Sequence, residues 1–258
     1  MIPYFEIHSF QIGPVVIQVW GLLVSLGFGL AVWGAYYCAK KYFLVPQMII
    51  DIAFWTLLSG FVFARLFYVL FYALDFYYQN PSDVLKFWQG GASSLGGFFG
   101  AGVAVYIFSK VRKLAWKDLA LYLDILALWL WLGWGIGRLG CFLIHDHIGR
   151  LSNFFLAINF TGGTRFDLGL LESILAFILF IIFGLLFKKI TQLCAGYVLL
   201  YSFAAYAFIR FWLDFLRAND MMGSDIRYWQ LTPAQWGMML VFVGLTFFVI
   251  RSKIVKHT

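Results

Sequence analysis

Seven long apolar runs constrain this chain more than any other feature of its sequence. A helix needs about 20 apolar residues to cross the roughly 30 Å hydrocarbon core of a bilayer. Each run reaches about that length with at most one charged residue, and the runs cover residues 15–37, 52–74, 87–109, 119–137, 168–187, 190–209 and 231–250. None alternates apolar and polar residues as the strands of a membrane barrel do. The sequence therefore predicts an all-α, polytopic integral membrane protein with seven transmembrane helices, and we expect one domain over residues 1–258.

The composition excludes a water-soluble enzyme. Only 12% of the residues are charged and 63% are hydrophobic, whereas about 25% of the residues of soluble domains are charged. The first fourteen residues contain Glu6 and His8 instead of a basic segment, and the first apolar run is too long for a signal peptide. We therefore expect no cleaved signal peptide.

The positions of the lysines and arginines predict an orientation in the membrane. Eleven fall on one side of the predicted helices: Lys40, Lys41, Lys110, Arg112, Lys113, Lys117, Lys188, Lys189, Arg251, Lys253 and Lys256. Five fall on the other side: Lys86, Arg150, Arg165, Arg217 and Arg227. Because cytoplasmic loops carry the excess of basic residues, the N-terminus is predicted to lie outside and the C-terminus in the cytoplasm. This distribution explains the net charge of +7 without a nucleic-acid partner.

A few charged residues lie in or beside the apolar runs, where each costs about 2.5–3.5 kcal/mol to insert. They are Arg65, Asp124, Arg138, Glu172, Arg210 and Asp214. Such residues either pair with one another or extend to the headgroups, or they mark a functional site. We assign no role to Asp124, which lies near the cytoplasmic end of its run.

Arg138 ends the fourth run within a glycine-rich segment, from Gly133 to Cys141. Four glycines would allow the helix to break and polar backbone to line a cavity. The alternative is close helix packing, since Gly133 and Gly137 are four residues apart. The segment also matches G-x-G-x-x-G, but no strand precedes it, so a dinucleotide site is not predicted.

Arg210, Asp214 and Arg217 share one face of the sixth predicted helix, at its outer end. Two arginines that flank a carboxylate suit an anion, because the acid can hold one guanidinium in place. An interfacial belt facing the headgroups is the alternative, more so for Arg217 than for Arg210. Glu172 could fix a partner arginine or accept a proton.

The loop after the fourth run contains His145, Asp146 and His147. This spacing does not match a zinc-binding helix, which needs two histidines four residues apart. A solvated loop is one interpretation, and a proton acceptor near neutral pH is the other. Gly96 and Gly97, at the start of the third predicted helix, indicate either close helix approach or headgroup contact through backbone N–H groups.

The order of these motifs over essentially the whole chain resembles the bacterial prolipoprotein diacylglyceryl transferases. The matching segments are Ile12-Gly-Pro14, Trp20-Gly-Leu22, Ala64-Arg65-Leu-Phe-Tyr68, Trp88-Gln-Gly-Gly91, Gly137-Arg138-Leu-Gly-Cys-Phe142, Gly149-Arg150, Asp167-Leu-Gly-Leu-Leu-Glu172-Ser173, Arg210-Phe-Trp-Leu-Asp214-Phe-Leu-Arg217 and Thr232-Pro-Ala-Gln235. The glycine-arginine-x-glycine segment is the family's signature.

The resemblance implies an activity in the bacterial inner membrane. The family moves the diacylglyceryl group of phosphatidylglycerol, a membrane lipid, onto the lipobox cysteine thiol of a prolipoprotein, which forms a thioether and releases glycerol phosphate. We expect Arg138 and Arg210 to hold the lipid phosphate, with Glu172 and Asp214 fixing the guanidinium groups. The other expected substrate-binding residues are Arg65, Arg217, Gly96, Gly97, Gly149 and Trp20. No cofactor or metal is expected, and Cys38, Cys141 and Cys194 have neither metal-ligand nor disulfide spacing.

This chain departs from the family's usual pattern around the expected thiol site. Leu95 stands where the family usually has a histidine, Trp20 where it has a tyrosine and Cys141 where it has an asparagine. The usual His-Pro-Ser-Gln-Leu-Tyr-Glu block appears as Phe166-Asp-Leu-Gly-Leu-Leu-Glu172. We therefore expect His145 or His147 to supply the missing base, with Asp146 orienting one of them, and Glu172 is the competing candidate.

Two functions of other classes and one within the family are the alternatives to this activity. A retinal photoreceptor is excluded because the seventh run contains no lysine. An anion channel or lipid transporter would use the same arginines but would show an internal repeat of broken helices. A family paralogue with an altered acceptor or lost catalysis, which binds an anionic phospholipid, remains the alternative.

Reporter fusions test the predicted orientation. Fusions placed after Lys41, Lys113 and Lys189 should all report a cytoplasmic location, because each follows a basic turn. A periplasmic signal from any of the three would contradict the predicted topology.

Overall fold

The computed structural model of the protein describes residues 1–86, 90–220 and 227–257. In this part of the chain the helices are α1 (Val19–Lys41), α2 (Gln47–Phe71), α3 (Leu74–Gln79), α4 (Ser94–Val111), α5 (Trp116–Ile144), α6 (Leu168–Leu193), α7 (Tyr197–Leu213) and α8 (Pro233–His257). Short 3-10 turns follow α3 and α7, at Pro81–Leu85 and Asp214–Leu216. The strands are β1 (Ile2–Pro3), β2 (Ser9–Ile12), β3 (Val15–Gln18), β4 (Ile148–Leu151), β5 (Ile158–Phe160) and β6 (Gly163–Asp167).

Five helical segments among the described residues are long and apolar enough to cross a membrane. They are α1, α2, α5, α6 and the segment Tyr197–Leu216, which joins α7 to its 3-10 turn. The apolar parts of α4 and α8 are shorter, at Leu95–Val111 and Pro233–Phe247. A multi-pass helical membrane protein is thereby confirmed, and the count of seven spans stays a prediction.

The helix boundaries differ from the apolar runs at several places. Residues 15–18 form β3 instead of the first turn of α1, and residues 90–93 precede α4 without helical structure. Residues 87–89 of the third run lie outside the described ranges. The run 190–209 is divided between α6 and α7, because Cys194 has extended backbone after α6 and Gly196 adopts a left-handed φ of 94° before α7. Hydropathy alone does not detect such a break, since the flanking residues are equally apolar.

The glycine-rich end of α5 is not broken, contrary to one interpretation of the sequence. The helix continues through Gly133 and Gly137 to Ile144. The glycines instead allow close contact with α1: a Cβ on Gly27 would lie 2.5 Å from the carbonyl oxygen of Gly133, and a Cβ on Gly133 would lie 2.6 Å from that of Gly27. Close packing through small residues is therefore the correct interpretation.

The prediction of an all-α protein is corrected by two small sheets. One is the antiparallel hairpin of β2 and β3, and the other has the strand order β1-β5-β6-β4. In the second sheet β1 pairs with β5 in parallel, whereas β6 pairs antiparallel with both β5 and β4. Backbone outside helices must still form hydrogen bonds, and strand pairing provides them for the connection between α5 and α6.

The chain divides into two compact units. The first contains Met1–Ala35 and Leu123–Thr258, and the second contains Tyr36–Tyr122. In the second unit α4 packs closely on α2, since a Cβ on Gly96 would lie 2.4 Å from the carbonyl oxygen of Phe63. The expectation of one domain over residues 1–258 stays a prediction.

Asp124 has a structural role that the sequence did not reveal. Its carboxylate is fully buried on α5 and accepts hydrogen bonds from the backbone N–H groups of Gly196 (2.7 Å) and Leu199 (2.8 Å). These donors belong to the start of α7, where helical N–H groups have no partner within the helix. Asp124 thus caps α7 from a neighbouring helix, which compensates the cost of burying the carboxylate.

Replacing Asp124 tests this capping role. Asp124→Leu should lower the free energy of unfolding by about 2–3 kcal/mol, because two buried N–H groups lose their acceptor. Asp124→Asn keeps one acceptor oxygen and should cost less. Thermal unfolding in detergent measures the difference, with the exposed Asp118→Leu on the same helix as the control. Equal stability of Asp124→Leu and Asp118→Leu would contradict the role.

Candidate functional site

A buried carboxylate on α6 joins two arginines from two other helices. Glu172 is fully buried, and its Oε2 lies 3.0 Å from Nη2 of Arg138 on α5. Its Oε1 lies 2.9 Å from Nε of Arg210 on α7. The hydroxyl of Tyr206, one turn before Arg210, donates a hydrogen bond of 3.1 Å to Glu172 Oε2. Glu172 therefore fixes both guanidinium groups at one level of the helix bundle, where an unpaired buried charge would be very costly.

A second carboxylate holds Arg210 from the other side. Asp214 Oδ1 accepts a hydrogen bond of 2.7 Å from Nη1 of Arg210 and lies 3.7 Å from Nε of Arg217. Its Oδ2 accepts a hydrogen bond from the Thr232 hydroxyl. Asp214 therefore pairs with both arginines. The three residues do not share one helix as expected, because α7 ends at Leu213, Asp214–Leu216 form a 3-10 turn and Arg217 has extended backbone.

The start of α8 supports Asp214 through a capping box. The Gln235 side chain accepts a hydrogen bond of 2.9 Å from the backbone N–H of Thr232, and the Thr232 hydroxyl accepts one of 3.2 Å from the N–H of Gln235. Both side chains are fully buried. The spacing Thr-x-x-Gln is the sequence signal for this motif, and it fixes the hydroxyl that contacts Asp214.

This network has an excess of positive charge. It contains three guanidinium groups and two carboxylates, so the five residues Arg138, Arg210, Arg217, Glu172 and Asp214 carry a net charge of +1. An arginine carries five N–H donors, and the contacts with Glu172 and Asp214 use one nitrogen of Arg138 and two of Arg210. A fixed, positively charged pair of this kind suits a phosphate or another oxyanion.

Arg138 connects the network to a cavity of about 410 Å³. Its guanidinium lies 5.0 Å from the centre of the Trp134 ring, and its Nη1 lies 3.8 Å from Sγ of Cys141. The polar end of the cavity is lined by Arg138, Cys141, Asp146 and His147. Atoms of the last three side chains lie within 4.8 Å of one another. This end of the cavity therefore brings a guanidinium, a carboxylate and an imidazole beside a thiol.

His147 is neutral, and one of its ring nitrogens accepts a hydrogen bond. Burial, together with the guanidinium groups of Arg138, Arg217 and Arg210, lowers the pKa of His147 to about 3. Its Nδ1 lies 3.0 Å from Nη2 of Arg217, which can only donate. The proton of the neutral ring is therefore on Nε2, which lies 3.7 Å from Asp146 Oδ1. Partial burial raises the pKa of Asp146 despite the neighbouring Arg138.

His145 lies two residues earlier but has different surroundings. It is buried, with Nδ1 at 2.7 Å from Asp167 Oδ2 and Nε2 at 2.6 Å from the Phe5 carbonyl oxygen. Asp167 also caps α6 by accepting a hydrogen bond from the N–H of Leu170. Because both ring nitrogens of His145 have hydrogen-bond partners within the protein, neither is available to receive a thiol proton.

Arg65 and the glycines at the start of α4 lie in the second unit. The Arg65 side chain is buried and donates hydrogen bonds to backbone carbonyls of the segment after α3, including those of Asp83 (2.8 Å) and Val84 (3.0 Å). The N–H of Gly96 donates to the Ser93 hydroxyl, and that of Gly97 donates to the Ser93 carbonyl. Of the two interpretations of these glycines, close helix approach is therefore the one observed.

Gly149 and Trp20 lie in the first unit. Gly149 forms an isolated β-bridge with Arg217, and a Cβ there would lie 2.7 Å from the carbonyl oxygen of Leu216. The glycine thus lets the sheet approach the backbone that carries Arg217. Trp20 lines the same cavity as Arg138.

Several contributors to the site were not found from the sequence. Tyr206, Thr232 and Trp134 each contact one of the predicted charged residues. Thr232 had a usable signal in its capping-box spacing, whereas Tyr206 and Trp134 are aromatic residues among many. Only the packing of α5, α6 and α7 distinguishes these two from the other aromatic side chains.

Comparison with known proteins gives a consistent result. A family model described as "Prolipoprotein diacylglyceryl transferase" matches residues 8–251. A protein of Trichormus variabilis is 29% identical over 257 residues, which cover 94% of this chain and 89% of that protein. Proteins of Staphylococcus saprophyticus and Pediococcus pentosaceus are also 29% identical, with 96% of this chain covered in each case and 90% and 91% of the relative. All three carry the name phosphatidylglycerol–prolipoprotein diacylglyceryl transferase.

Proposed function

The chain belongs to the prolipoprotein diacylglyceryl transferase family, and we propose from its arginine network how it carries out that reaction. The protein is a membrane transferase of lipoprotein biosynthesis. It transfers the diacylglyceryl group of phosphatidylglycerol to a prolipoprotein, and the acceptor atom in our proposal is the lipobox cysteine thiol. The bridging of Arg138 and Arg210 by Glu172 is the observation that carries this account.

The reaction is a substitution at an sp3 carbon. The thiolate of the acceptor cysteine forms a C–S bond with the diacylglyceryl carbon, and the C–O bond to the phosphate breaks. Glycerol phosphate leaves with the bonding electrons, so negative charge increases on the phosphate in the transition state. Guanidinium groups already held in place stabilise that developing charge more than they stabilise the ground state.

Arg138 and Arg210 bind the phosphate in this proposal. The contacts with Glu172 and Asp214 fix the planes of both guanidinium groups before substrate arrives. The two oxygens of Glu172 form ion pairs with Arg138 and Arg210, and Glu172 does not line the cavity. Its proposed role is therefore to position the arginines. Arg217, paired with Asp214 and His147, contributes positive charge next to the cavity-lining His147. Gly149 lets the sheet approach the backbone that carries Arg217. The lipid-binding role expected for Arg65, Gly96 and Gly97 stays a prediction.

Asp146 accepts the thiol proton in our proposal, with His147 beside it. The sequence favoured His145 or His147, but the neutral His147 has its accepting nitrogen bonded to Arg217. The Asp146 carboxylate lines the cavity, and its raised pKa makes it a stronger base than an ordinary aspartate. His147 Nε2 lies 3.7 Å from Asp146 Oδ1, which places the imidazole beside the carboxylate without a hydrogen bond. His145 instead joins the N-terminal segment to α6.

The membrane arrangement completes the proposal. Seven spans are obtained if α4 and α8 cross together with the five longer helical segments. The N-terminus then lies outside and the C-terminus in the cytoplasm of a bacterial inner-membrane protein. The site at the ends of α5 and α7 would face the outer leaflet, where a secreted prolipoprotein arrives. The partners are phosphatidylglycerol and the prolipoprotein, with no nucleic acid and no cofactor.

The alternative is a paralogue that binds an anionic phospholipid without transfer. Leu95 and Cys141, in place of the family's usual histidine and asparagine, are the features that favour it. The discriminating assay supplies reconstituted protein with labelled phosphatidylglycerol and a lipobox peptide, and scores the thioether product. Lipid binding without any thioether would establish the alternative.

Lysine substitutions test the arginine pair. Arg138→Lys and Arg210→Lys keep the charge but lose the planar donor geometry, so each should lower the transfer rate by about 10²–10³-fold. The matched control is Arg112→Lys, since Arg112 pairs with Asp51 on the surface of the second unit. An unchanged rate in either arginine variant of the site would show that a point charge suffices.

Isosteric substitutions separate the two candidate bases. Asp146→Asn should lower the transfer rate by at least about 10²-fold, while His147→Gln should cost about tenfold or less. The rate of the unaltered protein should also fall as the pH is lowered through the raised pKa of Asp146, because only the ionised carboxylate accepts a proton. Full activity of Asp146→Asn together with an inactive His147→Gln would reassign the base to His147.

A further inference from the structure

The cavity at Arg138 continues as an apolar groove between α1 and α5, which we call the α1–α5 groove. Its walls are formed by Trp20, Val24, Phe28 and Ala31 of α1 and by Leu130 and Trp134 of α5. Its polar end contains Arg138 and Cys141, near the end of α5. The groove therefore joins a charged end to a long apolar channel.

The length of the groove matches one leaflet of a bilayer. Trp20 and Ala31 are eleven residues apart on α1, and Leu130 and Cys141 are eleven residues apart on α5. At 1.5 Å per helical residue, both walls extend about 16 Å. One leaflet contributes about half of the 30 Å hydrocarbon core, or about 15 Å.

The volume of the groove favours a single hydrocarbon chain over a peptide. A cavity of about 410 Å³ holds about 14 water-sized groups, each about the size of a methylene, at about 30 Å³ apiece. A helical peptide with a diameter of about 10 Å would need on the order of 1,300 Å³ over the same length. An extended peptide would find no backbone partners, because the walls are helices whose N–H and C=O groups bond internally.

The groove is also open to its surroundings along one side. Trp20 and Leu130 are 47% and 38% exposed, and Val24 and Phe28 are likewise exposed, so both walls have accessible rims. Ala31 is buried at the inner end, where α1 contacts α5 at Gly133. A chain lying in the groove from Arg138 would therefore have its methyl end beside Ala31 and Leu130.

We propose that the α1–α5 groove binds one fatty acyl chain of the phospholipid whose phosphate lies at Arg138, and that Ala31 and Leu130 set the preferred chain length. This inference rests on the proposed function, because it requires the phosphate at the polar end. It adds a specificity determinant about 16 Å from the reacting atoms.

The test compares transfer from two phosphatidylglycerols, with saturated chains of about 16 and about 10 carbons. Leu130→Trp places a larger side chain at the inner end of the α1–α5 groove. It should lower the transfer rate with the long-chain lipid about tenfold, while the transfer rate with the short-chain lipid stays within about twofold. Ala31→Leu fills the same end from α1 and should act in the same direction. Ile181→Trp, on an exposed position of α6, is the matched control.

Two outcomes distinguish failure of the inference from failure of the function on which it rests. If the unaltered protein transfers neither lipid, the proposed function fails and the inference fails with it. If the unaltered protein is active but Leu130→Trp leaves the ratio of long-chain to short-chain rates unchanged, only the inference is overturned. Mass spectrometry of phospholipids that copurify should show shorter chains in Leu130→Trp than in Ile181→Trp, which provides a readout independent of turnover.

Discussion

The structure depends on one buried carboxylate that is shared by two arginines. Glu172 has no exposed surface, and it meets Arg138 from α5 and Arg210 from α7 at distances of 3.0 and 2.9 Å. Each charge would be prohibitively costly to bury alone, so the three helices must pack in the register that brings all three together. The same requirement orients donors of both arginines in advance, as the proposed stabilisation of a phosphate leaving group requires. Stability and chemistry therefore share the same contacts.

The rest of the site follows from how the ends of the helices are held. Gly133 allows α5 to pack directly on α1, so Arg138 lies at the head of a groove instead of within a closed bundle. The sheet after α5 approaches the backbone of Arg217 at Gly149. His147 then reaches Arg217 while Asp146 stays at the cavity. The close backbone contacts at Gly133 and Gly149 thus bring charged groups from distant parts of the sequence around one cavity.

The sequence was most informative about helices and about charges within one helix. Apolar length predicted the membrane helices, and helical spacing predicted the pairing of Arg210 with Asp214. It could not decide whether glycines at the end of α5 break the helix or pack it, because both outcomes use the same residues. Nor could it distinguish the role of His145 from that of His147, because the sequence does not show what each imidazole contacts. The pairing of Glu172 with Arg138 was expected only through the family resemblance, because it depends on the packing of different helices, which no local pattern encodes.

The position of the lipid phosphate tests the central claim most directly. Solid-state NMR of the reconstituted protein can measure dipolar coupling between the phosphorus of phosphatidylglycerol and guanidinium nitrogens of labelled arginines. The account predicts coupling to two buried arginines at about 5 Å or less, with one signal lost in Arg138→Lys and the other in Arg210→Lys. Phosphorus coupling that neither substitution alters would contradict the account, since the phosphate would then lie away from the pair that Glu172 holds together.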